Sequence, residues 1–94
     1  ENIKIQIEIK DCPNNIEKCL RIEFKDNGIG VADGKKEIIF KEGFKEQKNT
    51  KGMGLGLSLV VKMLNLFDGR IWVEDRVKGN FEEGSNFIIE LPKV

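Results

Sequence analysis

Asp26 is followed at spacings of two by Gly28 and Gly30 in the run Asp26-Asn27-Gly28-Ile29-Gly30-Val31, and Gly52, Gly54 and Gly56 alternate with Met53, Leu55 and Leu57 further along. A carboxylate at the lip of a strand can accept a hydrogen bond from the exocyclic amine of a purine, whereas a guanine carbonyl at that position has no proton to give. Gly28 and Gly30 leave room for a flat ring to approach the backbone. The same letters also spell an ordinary turn. Closely spaced glycines at a helix start expose backbone N–H groups and the positive end of the helix dipole to an anion; they would equally permit close helix packing. Lys45, Lys48 and Lys51 precede this run, either as solvated loop charges or as cations that approach a phosphate when the loop closes. Phe40 and Phe44, four residues apart, suit the hinge of such a lid, the core, or both. No Gly-Lys-Ser/Thr follows the glycines, and a polar loop stands where a buried parallel strand would be needed, so neither a Walker loop nor a dinucleotide fingerprint is present.

Composition narrows the chemistry. The 94 residues contain no histidine, which removes the commonest general base and every Ser-His or Cys-His catalytic arrangement. Sixteen Lys and Arg balance sixteen Asp and Glu, so no net field draws the chain to nucleic acid or anionic lipid. Apolar stretches fall short of a membrane span, and the first residues lack a signal-peptide pattern; a soluble, cytoplasmic piece is expected. Cys12 and Cys19 make no disulfide framework and have no zinc-ligand pattern to join, so reduced thiols near a hairpin are expected on compartment grounds. At this length the buried fraction of surface is low and stability marginal.

The elements that must position these residues follow from periodicity. Ile3, Ile5, Ile7 and Ile9 alternate with polar residues, which predicts a strand with one face buried and one wet; the alternation returns at Leu20, Ile22 and Phe24. Asp11-Cys12-Pro13-Asn14-Asn15 supplies the turn between them. A later strand pair is predicted over 70–75 and 86–91, giving one antiparallel sheet of four strands. Lys35 to Phe40 reads as a short helical turn, and Lys41 to Lys51 as a polar, mobile loop. From Gly54 the stripe Leu55, Leu59, Val60, Met63, Leu64 and Phe67 predicts one long helix, with Gly69 at a left-handed cap. Leu57, Val61 and Leu66 lie off that stripe, so the helix has apolar surface beyond what one sheet can cover.

Taken in order, Asp26 to Val31, the Phe40/Phe44 segment, Gly52 to Val60 and Gly84-Ser85-Asn86-Phe87 with its closing Leu91-Pro92 resemble the histidine-kinase branch of the gyrase, heat-shock chaperone, histidine kinase and mismatch-repair ATPase superfamily. They look like its first glycine box, F box, second glycine box and closing strand, and the Gly-Leu-Gly-Leu-Ser-Leu-Val form favours the kinases. The resemblance implies an α/β two-layer sandwich, a mostly antiparallel sheet packed by one long and one short helix. It implies ATP in a cleft lined by Asp26, Gly28, Gly30, Phe40, Phe44, Lys48, Lys51, Gly52, Gly54, Leu55, Gly56 and Leu57, with Mg²⁺ and a flexible lid. The implied reaction moves the γ-phosphoryl group of ATP to a histidine on a separate phosphotransfer and dimerisation domain, then to a response regulator. An anti-sigma serine kinase, a gyrase-like ATPase or a degenerate protein-binding domain are the alternatives. The family's N box, which carries a metal-holding Asn, precedes the first strand and is not found in 1–94. A partial ATPase domain is therefore expected, inactive alone, with weak ATP affinity and with exposed helix surface available for self-association.

Overall fold

In a computed structural model that describes residues 4–14, 18–41 and 56–93, the period-two segments form the four strands expected. They are β1 (Ile5–Asp11), β2 (Cys19–Asp26), β3 (Arg70–Val77) and β4 (Asn80–Pro92), joined in one antiparallel sheet of order β1-β2-β4-β3. Two short 3-10 turns, Asp33–Lys35 and Ile38–Phe40, follow β2, and the helix α1 spans Gly56–Asn65. The two-layer α/β arrangement agrees with the sequence reading.

Residue alternation gives the sheet two unlike faces. Glu23 opposes Ile88 and Arg21 opposes Glu90, so Arg21, Glu23 and Lys25 share one face with Asn86, Ile88 and Glu90. Leu20, Ile22, Phe24 and Asp26 share the other with Ser85, Phe87, Ile89 and Leu91. On this apolar face sit α1, which packs on β3 and on the Ile38–Phe40 turn, and Phe40, whose ring meets Phe87 edge to face at 6.2 Å. Val73 and Ile39 are buried there, while Ile88 is the most buried large side chain of the charged face.

Several expectations need correction. Ile5, Ile7 and Ile9 are all exposed, and even Ile7 keeps 57% of its surface; β1 pairs only with β2 at the sheet edge, whereas α1 packs against β3 at the other edge. On α1 the half-buried side is Leu57, Val60, Val61 and Leu64 around a buried Ser58, while Leu59, Met63, Leu66 and Phe67 are exposed. The contact stripe is thus rotated from the one the letters suggested. The left-handed residue after the helix is Asp68 (φ 59°). Gly69 is instead closely packed, since a Cβ there would meet the movable Leu91 Cδ2 at 2.5 Å and Glu90 O at 3.1 Å. Strand β4 begins at Asn80, six residues earlier than expected, because Lys78-Gly79, with Gly79 at φ 81°, closes a tight hairpin from β3. Cys12 and Cys19 are joined in a disulfide. The β1–β2 register, ending with Asp11 opposite Leu20, brings their Cα atoms to 5.3 Å, within bonding range, and compartment reasoning had no access to that geometry. The expected mobile loop over 41–51 lies almost wholly outside the described residues.

Candidate functional site

Strand β2 ends at Asp26, and the chain turns there because the side chain caps its own loop: Oδ1 accepts the Gly28 N–H at 3.0 Å, the geometry of an Asx turn. Oδ2 accepts the hydroxyl of Ser85 at 2.9 Å, from the neighbouring strand β4. Ser85 is 3% exposed. Both donors are neutral, and a carboxylate has about four lone-pair positions, so Asp26 retains acceptor capacity beyond these two bonds.

The two glycines after Asp26 differ in why they are needed. A Cβ on Gly30 would come within 2.3 Å of Phe81 O and 2.6 Å of Gly84 O, because Gly30 N–H donates to Phe81 O at 2.9 Å. Its smallness serves the docking of this loop on β4. Among the described residues a Cβ on Gly28 would touch nothing closer than Asp26 Oδ1 at 3.5 Å, so they leave space there. Gly84, at φ 115°, lets β4 pass so near Asp26 that a Cβ would sit 2.0 Å from Asp26 O. Arg76 Nε donates to Glu83 O at 2.7 Å, bracing the hairpin beside it. Lys36 pairs with Asp33 and with Asp75 Oδ1, the latter at 2.8 Å, tying the first 3-10 turn to β3. Hydrogen bonds that the Lys36 ammonium donates to Asp33 and then to Asp75 raise it above the usual lysine range.

An open cavity of about 470 Å³ at this end of the sheet is lined by Lys4, Gln6, Lys25, Asp26, Asn27 and Arg76. Three of those six are cations. Of the residues singled out in the sequence, Asp26 lines this cavity, with Gly28 bonded to its carboxylate and Gly30 docked on β4; Phe40 follows at the end of the second 3-10 turn, half-buried against Phe87. Gly56 opens α1 and Leu57 is half-buried on it. Phe44, Lys48, Lys51, Gly52, Gly54 and Leu55 lie outside the described residues. Ser85 is an addition to the site residues expected from the sequence; its signal there is a hydroxyl beside a glycine, early in a strand that pairs with the one ending in Asp26.

The opposite end of the sheet holds a second carboxylate in a different setting. Glu90 takes Nε and Nη2 of Arg21 on Oε2 at 2.9 and 2.6 Å, and Nε and Nη2 of Arg70 on Oε1 at 3.0 and 2.7 Å. Both guanidinium groups lie over the Trp72 ring, at 5.5 and 5.7 Å. Burial pushes the Glu90 carboxyl up, but hydrogen bonds and charge from Arg21 and Arg70 outweigh it and hold the group below the ordinary carboxylate value. Glu23 follows the same pattern, with burial overcome by Asn86 and Lys10. These groups had no place in the sequence reading, since cross-strand register decides which charges meet.

A family profile described as histidine kinase-, DNA gyrase B-, and HSP90-like ATPase matches residues 1–94. The adaptive-response sensory kinase SasA of Synechocystis sp. is 40% identical over 75 residues, which cover 78% of this chain and 18% of that protein. Among solved structures, the nucleotide-free catalytic domain of histidine kinase ThkA superimposes with a TM-score of 0.77 at 36% identity, over 99% of this chain and 55% of that chain. Histidine kinase ThkA in complex with response regulator protein TrrA gives a TM-score of 0.71 at 30% identity, over all of this chain and 23% of that chain. The chain therefore spans less than a fifth of the curated relative it matches.

Proposed function

This chain belongs to the histidine kinase-, DNA gyrase B-, and HSP90-like ATPase family, in the company of sensor histidine kinases, and from that premise we propose that it is the ATP-binding part of a longer two-component kinase. In this reading Asp26 accepts the exocyclic amine of adenine. The observation that carries it is the state of the Asp26 carboxylate, held in place by the Gly28 N–H and the Ser85 hydroxyl and still able to accept. Ser85 is a positioning residue: its hydroxyl fixes the carboxylate plane. Gly28 leaves open space beside it for a ring, and Gly30 keeps the loop on β4. No histidine lies within 1–94, so the phosphoryl acceptor is a histidine on another segment, with a response regulator next in line, as the ThkA–TrrA complex suggests.

Bound ATP supplies the phosphoryl group, and Mg²⁺ entering with its phosphates would offset their charge. What these residues contribute is position: Asp26 sets the base, and the pinned loop after it sets the depth of the site. Among the described residues, the one cluster of cysteine and acidic ligand atoms is Cys12, Cys19 and Glu90, at the far end of the sheet, so no residue here is assigned to the metal.

Incubation of the full-length protein with γ-labelled ATP tests the reading. The expected product is a phosphoprotein whose label is lost in acid and kept in base, as for phosphohistidine, and which falls at least tenfold in Asp26→Asn. Acid-stable label would point to a serine-directed kinase instead.

A further inference from the structure

The end of the sheet away from Asp26 has its own chemistry. The Cys12–Cys19 disulfide closes the β1–β2 hairpin and borders a cavity of about 380 Å³ that is also lined by Arg21, Arg70, Trp72 and Glu90. Both sulfurs and a Glu90 carboxylate oxygen lie within 4.8 Å of one another. The two cysteines differ in access, Cys12 being 3% exposed and Cys19 half-buried. The charge of Glu90 is met on one oxygen by Arg21 and on the other by Arg70, and Arg21 also reaches Glu23 at 3.4 Å.

We propose that Cys12–Cys19 is a thiol–disulfide exchange site for a small dithiol reductant, with Cys19 as the sulfur attacked and Cys12 as the leaving sulfur. A reductant thiolate attacks Cys19 Sγ; the S–S bond breaks and its electron pair leaves on Cys12 Sγ as a thiolate. The second thiol of the reductant, deprotonated, then displaces Cys19 from the mixed disulfide. The protein disulfide gains two electrons and the two protons given up by the dithiol, which becomes a disulfide. Attack rates in such exchange depend on access to the sulfur, and departure is faster for a thiol of lower pKa. Access therefore selects Cys19 as the sulfur attacked, which leaves Cys12 as the departing sulfur.

The bond is placed to matter for β1. Among the described residues that strand pairs only with β2. At this end it is closed by the disulfide and by Cys12 N–H donating to Cys19 O at 3.1 Å. At its other end Lys4 N–H donates to Asn27 Oδ1 at 2.7 Å, beside Asp26. Opening the disulfide removes one tie at that end of the edge strand, leaving the Cys12 N–H bond to Cys19 O and the Lys93–Asp11 ion pair at 2.7 Å.

The test is exchange in native buffer with dithiothreitol, quenched in acid and read by alkylation and mass spectrometry. The bond should open and reclose reversibly without unfolding, with amide exchange rising first around Asp11. In Cys12→Ser, oxidised glutathione should form a mixed disulfide at Cys19 at least tenfold faster than it does at Cys12 in Cys19→Ser. Reduction only under denaturant, or equal trapping rates at the two cysteines, would each overturn the proposal.

Discussion

Strands β2 and β4 carry a carboxylate at each end of the sheet, and the two are held in opposite ways. Glu90 is clamped by four N–H groups from two cations, with Trp72 beneath them. Asp26 is held by one amide and one hydroxyl, both neutral. A clamped carboxylate has its charge answered and its lone pairs used, so it serves the fold. A carboxylate fixed by neutral donors is oriented while its charge and remaining lone pairs stay open to a ligand. The difference teaches that, of these two acidic groups on one pair of strands, the weakly held one is the one left able to take a ligand.

The contrast can be broken first at Glu90. Removing the carboxylate in Glu90→Ala leaves the partly buried Arg21 with only its longer contact to Glu23, at 3.4 Å, and stability should drop by about 3 kcal/mol in denaturant unfolding. A loss under about 1 kcal/mol would mean that the clamp is not structural. Asp26→Asn should behave the other way round. Stability should change by less than about 1 kcal/mol, while ATP affinity falls about 10- to 100-fold, as expected for a charge-assisted hydrogen bond, measured by calorimetry on the full-length protein.

Acid sharpens the same comparison. Glu90 and Glu23 have folded-state values held below the ordinary one. Their contribution is therefore complete above the unfolded carboxylate pKa of about 4.3 and is lost as pH falls through the lower folded values. Thermal midpoints should hold steady from neutral pH to about 5 and then decline, and Glu90→Gln should flatten that decline. The smallest effect is expected at Ser85→Ala. It should cost about 1 kcal/mol of stability and a few-fold in ATP affinity, because Asp26 keeps its Gly28 bond but loses its second anchor.

Much of this was legible in the letters. Alternating isoleucines marked β1, and Asp26-x-Gly28-x-Gly30 marked the strand end that bends back on itself. The glycine at 84 and serine at 85 stood in view without their purpose, which appears only once β4 lies beside β2 and brings Ser85 to Asp26. Glu90 was illegible for the same reason: nothing local links it to Arg21, 69 positions away. The helix stripe was misjudged because Leu57, Val60, Val61 and Leu64 are as apolar as Leu59, Met63 and Phe67, and hydrophobic spacing alone cannot say which side meets the sheet. The disulfide followed from register, which depends on the turn and the pairing of whole strands.

The central claim is that Asp26 reads the adenine amine, and the most direct test is base selectivity. Affinities for ATP and GTP should be measured on the full-length protein and on Asp26→Asn. Asp26 should favour ATP by at least tenfold, because the guanine carbonyl would face a carboxylate, and the asparagine, able to donate to that carbonyl, should bring the ratio close to one. An ATP-to-GTP ratio that is the same in both proteins would contradict the assignment.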